Sequence, residues 1–65
     1  MKTITRKLKL PDWAKFLAKD VDGVLNAFEL APVPSSGYWY APDGECEKVC
    51  NGMSTHNWER TLERL

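Results

Sequence analysis

The stretch Phe16-Leu17-Ala18-Lys19-Asp20-Val21-Asp22-Gly23-Val24-Leu25-Asn26-Ala27-Phe28 constrains the fold more than any other part of the chain. Asp20 at the first position of a turn and Gly23 at the fourth suit a type I turn closed by a left-handed glycine. In that register Phe16 faces Phe28 and Lys15 faces Glu29, so an aromatic pair and an opposite-charge pair support one alignment. The stretch therefore reads as a β-hairpin. A calcium loop is the competing reading, and its spacing fails: Gly23 comes fourth instead of sixth, and Val24 and Ala31 stand where oxygen ligands belong.

A hairpin needs a partner surface, and the rest of the chain is read for what supplies one. Residues 4–10 alternate, with Ile4, Leu8 and Leu10 facing one way and Thr5, Lys7 and Lys9 the other, as in a half-buried strand. Pro11 and Asp12 then stand at the second and third positions of a reversing turn. Two prolines, two serines and a glycine mark 31–37 as a loop. Ala41-Pro42-Asp43-Gly44 predicts a second hairpin turn, joining a strand that contains Tyr38, Trp39 and Tyr40 to one that contains Cys46 and Cys50. In the tail Trp58, Leu62 and Leu65 share a helical face, Asn57 can cap and Glu59 falls in the first turn. About two turns of helix, anchored by Trp58, are expected to fold back on the sheet.

The expected fold class is thus α+β: one domain over residues 1–65, a small antiparallel β-meander of four to five short strands with one short C-terminal helix. A hydrophobic content of 43% supports a packed core. A chain of 65 residues still buries only about 60% of its unfolded surface, and dimerisation is a ready remedy.

No apolar run long enough for a membrane span and no apolar signal core are found, so the expected compartment is the cytoplasm, with both cysteines as reduced thiols. On a strand, residues four apart lie roughly 13 Å from each other, too far for Cys46 and Cys50 to form a disulfide or share a metal. With His56 they would in any case leave a structural zinc one ligand short. Buried or half-buried thiols are expected. No nucleophile with a base and orienting group, no Gly-rich phosphate loop and no metalloprotease pattern is present, so no catalytic residue, metal, cofactor or small-molecule substrate is assigned.

Two binding surfaces are legible. Three consecutive aromatics on a strand cannot all face one core, so Tyr38, Trp39 and Tyr40 must serve two surfaces, and at least one ring is left for a partner protein or a second copy of the chain. The second surface is electrostatic. Formal net charge is zero, yet residues 1–19 carry Lys2, Arg6, Lys7, Lys9, Lys15 and Lys19 against Asp12 alone, and residues 20–47 carry six acids and no base. Neighbouring strands that neutralise each other explain this split. The alternative is a basic face of Lys7, Lys9 and Lys15 for nucleic acid, with the aromatics stacking on bases.

The segments 11–32 and 57–62, PDWAKFLAKDVDGVLNAFELAP and NWERTL, also carry a recurring pattern. In them Pro11, Trp13-Ala14-Lys15-Phe16-Leu17-Ala18, Asp20, Asp22-Gly23, Ala27-Phe28-Glu29 and Pro32 are followed by a closing Asn57-Trp58 and Thr61-Leu62. In this the chain resembles a set of small uncharacterised proteins encoded by bacteriophages and prophages. It departs from them at Val24 and Leu25, where such proteins often carry aromatics, and in Cys46 and Cys50. The resemblance implies a phage accessory protein acting in the host cytoplasm on a host or phage protein; it implies no activity.

Overall fold

The computed structural model describes residues 2–3, 9–54 and 56–65. Among the described residues eight short strands are present: β1 (Lys2–Thr3), β2 (Lys9–Leu10), β3 (Phe16–Lys19), β4 (Leu25–Phe28), β5 (Val33–Pro34), β6 (Trp39–Tyr40), β7 (Cys46–Cys50) and β8 (Glu63–Arg64). They form a four-stranded antiparallel sheet in the order β7-β4-β3-β8 and two two-stranded ribbons, β1-β2 and β5-β6. The β-rich, antiparallel expectation holds, but the simple meander and the C-terminal helix do not.

The β3-β4 hairpin has the expected register, with Phe16 opposite Phe28 and Lys19 opposite Leu25. Gly23 N–H donates to Asp20 O at 2.9 Å, and Gly23 has φ +91°, the left-handed region the turn requires. Glu29 turns its Oε1 to the N–H of Glu45 (3.0 Å), on the β7 side, in place of the expected pairing with Lys15.

Alternation along this hairpin builds two cores. Leu17, Leu25 and Ala27 face one side and pack with Leu10 and Ala14, with Trp13, Val49 and Cys50 at the margin. Ala18 and Phe28 face the other side and pack with Trp39 and Trp58, with Phe16 and Ala41 beside them. Each core is small, so the sheet depends on being covered on both faces. The segment β2 with its following turn covers the first face, and the β5-β6 ribbon with the Trp58 turn covers the second.

Several expectations are corrected. The strand expected over 4–10 lies largely outside the described residues; its last two residues form β2, which runs antiparallel to β1, with Lys2 opposite Leu10. Leu10 is buried and Lys9 exposed, as the alternation predicts. The following turn is one residue later than expected: Ala14 N–H donates to Pro11 O (3.0 Å), so Pro11 stands first, because Leu10 stays in the ladder. The 31–37 loop contains a strand, and Val33 pairs with Tyr40. The second hairpin does not form between β6 and β7. Instead β7 pairs with β4, with Cys46 opposite Phe28 and a register shift between Leu25 and Asn26. Turn residues at 41–44 bend the chain, but the longer exposed edge of β4 is the better template for five residues than the two of β6.

The tail forms only a 3₁₀ turn, Trp58–Arg60, followed by β8. Thr61 ends the helix. Its N–H donates to Trp58 O at 3.1 Å, and its hydroxyl lies 2.7 Å from the same oxygen, the carbonyl an α-helix would offer to Leu62. The Thr61 Oγ1 also accepts Lys19 N–H at 2.8 Å, which draws the chain out alongside β3. Glu63 and Arg64 then pair with Leu17 and Phe16, and Leu65 N–H reaches Lys15 O at 2.9 Å. A two-turn helix is marginal in isolation, and the open edge of β3 outcompetes it. Asn57 makes no side-chain cap hydrogen bond, whereas Trp58 is buried and anchors the turn as expected.

Candidate functional site

The aromatic segment is built around Asp20. Its Oδ1 accepts the backbone N–H of Trp39 at 2.9 Å, and its Oδ2 accepts Asn26 Nδ2 at 3.2 Å. The first acid of the Asp-x-Asp-Gly turn therefore fastens β6 to the main hairpin. Asp22, the second, accepts Val24 N–H at 3.0 Å. Both are turn-forming and docking groups, and no cluster of three or more His, Cys, Asp or Glu able to hold a metal occurs among the described residues. Val21 N–H donates to Gly37 O at 3.0 Å, a second clamp between the two hairpins.

Held this way, Trp39 turns inward. Its indole N–H lies 2.9 Å from Lys19 O and 3.3 Å from Trp58 O, and its ring meets that of Trp58 edge to face, with centroids 6.0 Å apart at 85°. Trp39 is 6% exposed, whereas Tyr38 is 46% and Tyr40 49% exposed. The alternation read from the sequence is present, and it divides the three rings: Trp39 belongs to the core and offers a partner nothing, while both tyrosines face outward. Tyr38 and Tyr40 contact each other edge to face, with centroids 6.4 Å apart. Val33, 56% exposed, lies opposite Tyr40 in the ribbon and so shares its side. Exposed Val21 borders this patch through its contact with Gly37.

The basic residues lie elsewhere. Lys9 and Lys15 are exposed, and Lys7 is outside the described residues. Lys15 and Lys19 continue the side of the sheet marked by Leu17, and Lys9 belongs to the segment covering that side, so these cations and the tyrosine ribbon sit on opposite faces.

A cleft of about 340 Å³ opens on the Leu17 side, between Leu17, Lys19 and Leu25 of the sheet and residues 60–63. Its one hydroxyl, on Thr61, is already engaged by the backbone of Lys19 and Trp58. Cys46 is exposed and Cys50 half-buried, both unpaired thiols on β7. Exposure of Cys46 corrects the burial expected of it, since β7 is the edge of the sheet. Partial desolvation, and secondarily the Asp20 carboxylate, push the Cys46 thiol above its ordinary value, which keeps it protonated and weakly nucleophilic. His56 is exposed in the turn before Trp58.

No family model, no curated protein and no solved structure matches the chain. No helix among the described residues is long and apolar enough to cross a membrane.

Because the tyrosines take no part in either core, Tyr38→Ala and Tyr40→Ala are each expected to stay folded. Loss of their mutual ring contact should reduce stability by no more than about 1.5 kcal/mol. Urea unfolding followed by Trp fluorescence checks this, and unfolding of either variant would place the ring in the core.

Proposed function

We propose that this chain is a small protein-binding module that docks through the outward face of the β5-β6 ribbon. Tyr38, Tyr40 and Val33 carry the contact. The observation behind this reading is the division of the three aromatics: Trp39 is spent on the fold, while two large rings beside it are held outward on a ribbon fixed by Asp20 and Trp39. A rigid, exposed tyrosine pair supplies contact area at little entropic loss, which is why tyrosine is enriched at interface hot spots. The likeness of segments 11–32 and 57–62 to small phage and prophage proteins supports placing the module among phage accessory proteins acting on a host or phage protein in the host cytoplasm.

The test is capture of partners from bacterial lysate by the intact chain, beside its Tyr38→Ala and Tyr40→Ala variants, with sedimentation of the purified protein to detect self-pairing. A partner, or a second copy, retained by the parent and lost by both folded variants supports the reading. Capture indifferent to both tyrosines removes it.

Nucleic-acid binding draws on the exposed Lys9 and Lys15. Stacking rings and phosphate-binding cations must act along one strand path, and here they lie on opposite sides of the sheet. Binding to single-stranded or duplex DNA at low salt that depends on Lys9 and Lys15 would restore this reading; no binding at low salt removes it.

A further inference from the structure

Asn51 and Gly52 follow β7 into a stretch without regular structure, and both are exposed. Gly52 is fixed by contact rather than by conformation. Its φ lies outside the left-handed region, but a Cβ there would stand 2.8 Å from Gly23 O, just as one on Gly23 would stand 2.5 Å from Gly52 O. The two glycines meet backbone to backbone, and no larger residue fits at 52 without moving the β3-β4 turn. The fold thus requires that Asn51 be followed by the one residue with no side chain to shield its nitrogen. Among the described residues neither the Asn51 amide nor the Gly52 N–H makes a hydrogen bond.

We propose that Asn51-Gly52 is a site of spontaneous deamidation in the folded protein. The Gly52 nitrogen, after losing its proton to hydroxide, attacks Asn51 Cγ. A C–N bond forms to close a cyclic imide, the bond from Cγ to the side-chain nitrogen breaks, and ammonia leaves with a proton taken from water. Water then opens the imide at either carbonyl, giving aspartate in the ordinary linkage or a β-linked aspartate whose main chain runs through Cγ. Either product carries a carboxylate where a neutral amide stood. The β-linked form also adds one carbon to the main chain just ahead of Gly52, which displaces 52–53 from Gly23, whereas the ordinary linkage leaves that contact in place.

The other asparagines lack this arrangement. Asn26 lies in β4 between two neighbouring strands, donates its amide to Asp20 Oδ2 at 3.2 Å and is followed by buried Ala27. Asn57 is followed by the buried, bulky Trp58, and its carbonyl accepts Arg60 N–H at 2.9 Å. Aspartates precede Gly23 and Gly44, and a carboxylate is a poorer electrophile than an amide. Gly23 N–H is in addition held by Asp20 O. The chemistry at 51–52 stands whether or not the tyrosine ribbon binds a partner.

The intact protein is aged in warm, mildly alkaline buffer, once native and once unfolded in guanidinium chloride, and then digested with trypsin. Fragmentation of peptide 49–60 separates Asn51 from Asn57. Residue 51 of the native protein is expected to gain the mass difference between OH and NH2, with ammonia released in equal amount and both linkages present. The gain should grow as pH rises, because the attacking nitrogen must lose its proton. Asn51→Gln keeps an exposed amide but would have to close a larger, slower ring, so it should fold as the parent does and lose the gain. NMR of the aged protein should show a second set of Gly23, Gly52 and Met53 amide signals from the β-linked form. A native protein that stays unchanged while the unfolded chain converts would overturn the inference, because the Gly23 contact would then hold the pair out of reaction. A gain at Asn26 or Asn57 equal to that at Asn51, or an undiminished gain at residue 51 of Asn51→Gln, would overturn it as well.

Discussion

Trp39→Ala is expected to lose about 3–5 kcal/mol of stability and to leave the chain substantially unfolded at room temperature. A chain of 65 residues has, at roughly 0.05–0.15 kcal/mol per residue, only about 3–10 kcal/mol in total. Trp39 joins parts that nothing else joins as fully. Its ring fills the core between Ala18, Phe28 and Trp58, its indole N–H ties the end of β3 to the 3₁₀ turn, and its backbone N–H is the donor to Asp20. Removing the ring leaves a void under the ribbon and takes one donor from each of two carbonyls; Trp58 O keeps the Thr61 N–H, and the Thr61 hydroxyl remains near both. Trp39→Phe separates the two contributions. It keeps most of the apolar area and lacks the N–H, so a loss of about 1–2 kcal/mol is expected. Urea unfolding monitored by far-UV circular dichroism measures both. A Trp39→Ala variant that loses less than about 1 kcal/mol would mean that the ribbon is not seated on the sheet as described.

That variant also bears on function, because the three aromatics divide the labour. A residue whose removal unfolds the chain gives no information about a partner, whereas Tyr38 and Tyr40 can be truncated on an intact scaffold. Loss of binding in the tyrosine variants is therefore interpretable, and the same loss in Trp39→Ala is not.

The two hairpin ends of the chain show what a sequence can and cannot convey. The β3-β4 register was legible because every level agreed: Asp20 and Gly23 define the turn, and Phe16 meets Phe28 only in the alignment that the turn imposes. The split among Tyr38, Trp39 and Tyr40 was legible from the two-residue period alone, although the period does not say which ring goes inward. Asp20 decides that, by binding Trp39 N–H from 19 residues away, and no local pattern announces it. Pro42-Asp43-Gly44 states that the chain bends but not where it goes next; the local pattern points β7 to β6, whereas the open edge of β4 receives it. Trp58, Leu62 and Leu65 give three points of a helical stripe in a segment too short for the period to decide. Thr61 takes the Trp58 carbonyl and the Lys19 N–H, and the outcome is a strand, with Leu62 and Leu65 left exposed.

Gly23→Ala is the second large effect, expected to lose about 2–5 kcal/mol, and its size separates two reasons for a glycine that a sequence cannot tell apart. The first is conformation. At φ +91° an alanine carries a left-handed penalty of about 1–2 kcal/mol, which the Asp-x-Asp-Gly pattern already implies. The second is contact. A Cβ at Gly23 would stand 2.5 Å from Gly52 O and from the carbonyl carbon of Met53, and backbone cannot rotate out of the way as a side chain can. The segment following β7 would have to lift from the β3-β4 turn, adding overpacking of about 1–3 kcal/mol. Gly44 provides the comparison within the same molecule. It has φ +80°, and its added Cβ would meet the Leu30 Cγ at 2.8 Å, part of an exposed side chain free to change rotamer. Gly44→Ala should therefore lose little beyond the conformational penalty. Denaturation of the two variants side by side tests the packing of residues 52–53 against the turn: Gly23→Ala must be the more damaging by at least about 1 kcal/mol, with amide shifts propagating into 52–53. Equal losses would reduce Gly23 to a turn residue and remove that contact from the fold.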